Sequence, residues 1–152
     1  MPRVQSIDDN GRTINSNSAL KLLQPWTFVT ATTGATGAHT LFTVTGDCLV
    51  QVFGICNTDL LGAATLEVGV VGNTAGLLAQ IADTTTLDDG EIYVDATPGV
   101  GVEALPATFA LNDGADIIMT IGATAITGGQ VDFYCLWRPL SSSSEIVVTI
   151  PA

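Results

Sequence analysis

The chain has 152 residues, the size of one domain, and its 15 acidic residues against four basic ones give a formal net charge of −11. At 47% hydrophobic it can bury a core without disulfides, yet no apolar run approaches the roughly 20 residues that a membrane-spanning helix needs. No Lys or Arg falls between Lys21 and Arg138, so the anionic body repels phosphate, which argues against nucleic acid as a partner. Charge of one sign keeps a domain dispersed, and that is its simplest reading. Complementary patches on a partner protein are the alternative.

Met1-Pro2-Arg3 leads into the polar SIDDNGRTINSNS, not into an apolar h-region, so the chain is expected to fold in a cytoplasm. Residues 1–24 read as a polar, extended arm, with Ser18 to Leu23 as a short apolar anchor. Residues 25–152 read as one β domain. Trp26 to Thr33 alternates bulky and small residues as a first strand. The stretch TLFTVTGDCLVQVFGICN, Thr40 to Asn57, has two β-prone runs around Gly46-Asp47, the sequence form of a tight hairpin. Its pairing would put Phe42, Val44, Leu49, Phe53 and Ile55 on a core face, with Gln51 among them. Leu41, Cys48, Val50, Val52 and Cys56 would then lie on the opposite face, which is also too apolar for water. A second sheet can cover one of these faces, and a neighbouring subunit the other.

Asn57 to Gly62 reads as a loop. Further strands are expected at Ala64 to Val71, Glu91 to Val94, Ala107 to Leu111, Asp116 to Gly122, Gln130 to Trp137 and Glu145 to Ile150. Ala75 to Ala82 fits a short helix or a strand. About nine short strands separated by Gly, Asn and Asp turns predict an all-β, single-domain β-sandwich or jelly-roll-like fold.

No constellation of residues carries catalysis. His39 is the only histidine, with no second ligand at metal spacing and no nucleophile elbow, so it supports neither a zinc site nor a triad. Asp88, Asp89 and Glu91, with Asp83 and Asp95 nearby, offer oxygen ligands of the kind calcium takes, but their spacing fits no EF-hand; a solvated acidic loop is the simpler reading. Cys48, Cys56 and Cys135 read as buried thiols, although one of the first two could pair with Cys135. Trp26, Trp137, Tyr93 and Tyr134 are core and interface aromatics before they are a sugar platform. No cofactor and no enzymatic activity are expected.

Over Gly34 to Asp47 (GATGAHTLFTVTGD) and Gly62 to Gln80 (GAATLEVGVVGNTAGLLAQ) the chain resembles small acidic virion structural proteins of tailed bacteriophages. The resemblance implies a head decoration or cement protein, β-rich and often trimeric. It would sit on the capsid surface against the major capsid protein, after assembly in the host cytoplasm. On that reading Arg3, Arg12 and Lys21 mark an arm that touches the capsid, and Phe42, Val50, Val52 and Trp137 fill the core or an oligomer interface. The competing class is a tail- or fibre-associated module that binds a receptor or carbohydrate.

Overall fold

Alternating apolar and polar residues build antiparallel strands throughout the body. The computed structural model describes residues 20–149 and the backbone of residues 6–7 and 13–14. Strands β1 (Ser6–Ile7) and β2 (Thr13–Ile14) pair with each other. The body contains β3 (Leu20–Thr27), β4 (Gly37–Thr45), β5 (Cys48–Leu61), β6 (Thr65–Val70), β7 (Asn73–Ile81), β8 (Glu91–Tyr93), β9 (Gly99–Val100), β10 (Phe109–Leu111), β11 (Ile117–Gly122), β12 (Gly128–Pro139) and β13 (Glu145–Val148). One sheet has the order β3-β12-β5-β8-β9, with β10 also paired to β5; the other has the order β13-β4-β11-β6-β7. Their inner faces share one core, in which Phe42, Leu66, Tyr93, Ile117, Met119, Ile121 and Phe133 are fully buried. The fold is an all-β sandwich.

The hairpin expected at Thr40 to Asn57 does not form. Strand β4 pairs with β11 and β13, while β5 pairs with β12 on one side and with β8 and β10 on the other. Each strand has two edges, and both edges of both strands are taken. Gly46-Asp47 therefore carries the chain from one sheet to the other. Gly46 has φ +71°, its carbonyl accepts from Gly114 N–H at 3.1 Å, and that of Asp47 accepts from Leu140 N–H at 2.9 Å.

The faces change accordingly. Cys48, Val50, Val52 and Cys56 point into the core beside Leu41, Phe42 and Val44, whereas Leu49, Gln51, Phe53 and Ile55 are half-buried on the outside. Leu41 and Phe42 are adjacent yet both buried, because Ile117 pairs with Phe42 and Ile118 with Thr40, which leaves Leu41 as the extra residue of a bulge.

Other boundaries shift too. The first body strand is Leu20–Thr27, not Trp26 to Thr33, so residue 24 falls inside β3, and Leu20 to Leu23 of the apolar anchor are the start of that strand; Ser18 and Ala19 lie outside the described residues. Asn57 to Leu61, read as loop, continues β5. Of Ala75 to Ala82, which in sequence fits a helix or a strand, Ala75 to Ile81 is strand, within Asn73–Ile81, and Ala82 lies just past its end.

Candidate interaction surface

The outward faces of the two sheets differ in chemistry. On the second sheet the outward positions include Thr43, Thr65, Glu67 and Thr120, and Gln80 donates to Glu67 Oε2 at 2.8 Å. That face is the more polar of the two, with Val147, opposite Thr43 and 45% exposed, as an apolar member. The outward face of the first sheet is apolar, in rows set by register across β3, β12, β5 and β8. Leu23, Tyr134 and Phe53 form one row; Lys21, Leu136 and Gln51 form the next; Pro25, Asp132, Ile55 and Ile92 flank the other side. Beyond Leu136 lies Arg138, opposite Leu49.

Phe53 and Tyr134 stack, with ring centroids 5.1 Å apart and planes at 11°. Directly opposed aromatics on neighbouring strands stabilise the pairing by a few tenths to about 1 kcal/mol. Leu23 is 40% exposed, and the remaining apolar members of these rows, Pro25 excepted, are half-buried. Lys21 and Arg138, the two basic residues of the body, both stand on this face, with Asp132 as the carboxylate in these rows.

Beside the face, residues 101–108 run without regular structure between β9 and β10. Gln51 Nε2 donates to the Pro106 carbonyl at 2.6 Å and ties this segment to the rows. Val100, Val102 and Leu105 are 70%, 90% and 44% exposed, so the apolar surface continues past the sheet edge.

The residues singled out in the sequence fall in different places. Lys21 is exposed on β3; Arg3 and Arg12 lie outside the described residues. Phe42, Val50, Val52 and Trp137 are all in the core. The Trp137 indole N–H finds no acceptor among the described residues. Trp26 and Tyr93 are buried as well, which leaves Tyr134 as the surface member of the four aromatics. Sequence reasoning missed Leu23, Phe53, Tyr134 and Leu136 as one surface, because only the pairing of β3 and β5 with β12 brings them together.

The acidic loop binds its own backbone. Glu91 Oε2 accepts from Asp88 N–H at 2.8 Å, and Asp59 Oδ1 accepts from Asp89 N–H at 2.7 Å. Asp83 accepts from the Thr85 hydroxyl and N–H, which holds its carboxyl below the ordinary value. No three acidic, His or Cys side chains converge as a metal site among the described residues. His39 Nε2 lies 2.7 Å from the Ala35 carbonyl, and its ring meets Trp26 edge-on at 5.7 Å.

Cys48, Cys56 and Cys135 are free and buried. Burial pushes Cys135 up to about 12. Burial, and then the charges of Asp59, Asp89 and Glu91, push Cys56 up to about 11 against a lowering backbone hydrogen bond at Thr58, and its S–H donates to the Thr58 carbonyl at 3.2 Å. Burial also raises Cys48. The folded protein is therefore expected to resist a thiol reagent at pH 8 and to yield three reactive thiols in denaturant. Because the folded state holds these protons more tightly, stability should fall as pH rises above the ordinary thiol value of 9.0. A urea titration at pH 8 and pH 10 checks the sign. Rapid native labelling would show that these sulfurs reach solvent.

No protein-family model and no curated protein matches the chain. Among solved structures it is similar to a chain of the cyanophage Pam1 capsid asymmetric unit, at 16% identity and a TM-score of 0.40, over 91% of this chain and 100% of that one. It is also similar to a chain from Bacillus endospore appendages described as a novel family of disulfide-linked pili, at 15% identity and a TM-score of 0.34, over 80% and 88%.

Proposed function

We propose that this chain is a non-enzymatic structural component of a phage virion, decorating or cementing the capsid surface. The observation that carries this reading is the apolar outer face of the first sheet. Its inner face is already filled by the core, and a sheet apolar on both sides needs a neighbour that a free-standing domain does not. Catalysis has no comparable support: the Glu91 carboxylate accepts from the Asp88 N–H and that of Asp83 from the Thr85 N–H, each holding its own turn. On this reading residues 1–19, with Arg3 and Arg12, contact the major capsid protein, and Lys21 stands at the root of that arm.

Binding to shells assembled from the head protein of the parent phage tests the proposal. The intact chain should co-sediment with the shells. A variant lacking residues 1–19, which leaves β3 whole, should bind about tenfold more weakly or worse, since a tether adds contacts at high effective concentration. Failure of the intact chain to bind sinks the proposal. The stacked Phe53–Tyr134 pair favours one other reading, a carbohydrate-binding module of a tail or fibre. Saturable binding to a glycan array, lost in Tyr134→Ala, would establish it.

A further inference from the structure

The rows on the outer face of the first sheet are arranged so that a second copy of the same face complements them. The row Leu23–Tyr134–Phe53 is apolar from edge to edge. On one side of it stand the cations, Lys21 beside Leu136 and Arg138 one outward position further; on the other side stands Asp132, beside Pro25 and Ile55. Along β12, Leu136 and Asp132 are four residues apart, about 13 Å at the rise of a strand.

Rotating a second copy by 180° about the central row inverts the strand direction and keeps each strand over its own counterpart. The Phe53–Tyr134 stack then meets the same stack. Lys21, on β3, comes to lie over Pro25 of the second copy, one strand spacing of about 4.8 Å from its Asp132. The relation holds in both directions, so each contact has two Lys21–Asp132 pairs around an apolar centre. This is the self-complementarity that a two-fold interface requires. Rotation about β12 instead, which keeps the strands of the two copies parallel, would set Asp132 over Asp132 and Arg138 over Arg138, which like charges disfavour.

We propose that this chain forms a two-fold pair through the outer face of β3, β12, β5 and β8, with Lys21 of each copy against Asp132 of the other. The pairing deepens the virion reading and rests on it for its biological setting. It takes the place of the trimer that the sequence resemblance implies, and it leaves residues 1–19 for the shell. Four strands by four rows cover about 400 Å², half of the roughly 800 Å² per partner of a standard interface. The apolar segment at Val100, Val102 and Leu105 extends the surface at its rim, and the pair is a concentration-dependent one.

Sedimentation equilibrium of the full chain over a wide concentration range tests this. The mass should rise from the 15.6 kDa of one chain to twice that value and stop there. Leu136→Glu should leave a monomer. Lys21→Asp and Asp132→Lys should each weaken pairing about tenfold, and the double variant should restore it, a rescue that misfolding cannot mimic. An unchanged thermal midpoint in each variant verifies the fold. A monomer at every concentration, a trimer or larger ring, or pairing indifferent to Leu136→Glu and to the charge swap would each overturn the inference. Shell binding is read separately: an intact chain that binds shells yet stays a monomer removes the pairing alone, while one that pairs and ignores shells removes the virion reading alone.

Discussion

Tyr93→Ala is expected to lower unfolding free energy by about 4 kcal/mol, as for other large aromatic deletions from a packed core. Tyr93 belongs to β8 of the first sheet, is fully buried, and spans the core to the second sheet. There its hydroxyl is shared between the Leu66 carbonyl at 3.0 Å and the Ala79 carbonyl at 2.9 Å. These carbonyls belong to β6 and β7, so one side chain joins three strands. Burial, and then the charges of Glu67 and Asp95, push its phenol far above the ordinary value; it stays a neutral donor at any working pH. Tyr93→Phe keeps the ring and removes the donor, and should cost only about 1–2 kcal/mol. Urea midpoints of the two variants separate packing from hydrogen bonding. A neutral Tyr93→Phe would mean that the two carbonyls gain nothing from the hydroxyl.

The second large effect is expected at Gly34, in the connection between β3 and β4. Its N–H donates to the Val29 carbonyl at 2.8 Å, and its carbonyl accepts from Ile126 N–H at 2.8 Å. A Cβ at this position would overlap the Ile126 carbonyl oxygen. No rotamer relieves a clash with backbone, so Gly34→Ala should cost about 3 kcal/mol and separate this connection from residues 123–127. The control is Gly72→Ala in the β6–β7 turn, where a Cβ meets nothing within 4 Å and the only penalty is φ +86°, about 1 kcal/mol. Thermal melts of the pair check the contrast. Equal losses would show that the Gly34 connection can shift freely.

Much of the sandwich was legible in the sequence because strand alternation is local. Ile117–Gly122 and Gly128–Pro139 lie within a few residues of the expected runs, since β-branched and aromatic residues there alternate cleanly between turns. Pairing was not legible. Gly46-Asp47 has the composition of a hairpin turn, but pairing depends on which strands compete for each edge, and β11, β12 and β13 lie 56 or more residues beyond β5 in the chain. That competition also moved the core. Phe53 and Ile55 were assigned inward because the hairpin register put them beside Phe42, and the bulge at Leu41 lets both Leu41 and Phe42 face in. That β5 carries apolar residues on both faces was readable from β5 alone; the outer one holds Leu49, Phe53 and Ile55. The surface they join was not, because Leu23, Tyr134 and Phe53 come from three strands and meet only through the register of β12.

The place of β12 at the centre of the first sheet has a consequence for synthesis. Both β3 and β5 find their long antiparallel partner in Gly128–Pro139, and the ribosome makes that partner after every other described strand but β13. Until it emerges, two strands with apolar side chains wait with open edges, and only the short pairings of β5 with β8 and β10 are within reach. Non-local closure of this kind is slow and exposes edges to other chains. The hazard is greatest when many copies are translated at once. The absence of Lys and Arg between Lys21 and Arg138 then acts on the nascent chain itself: growing bodies of like charge repel one another while their sheets are still incomplete.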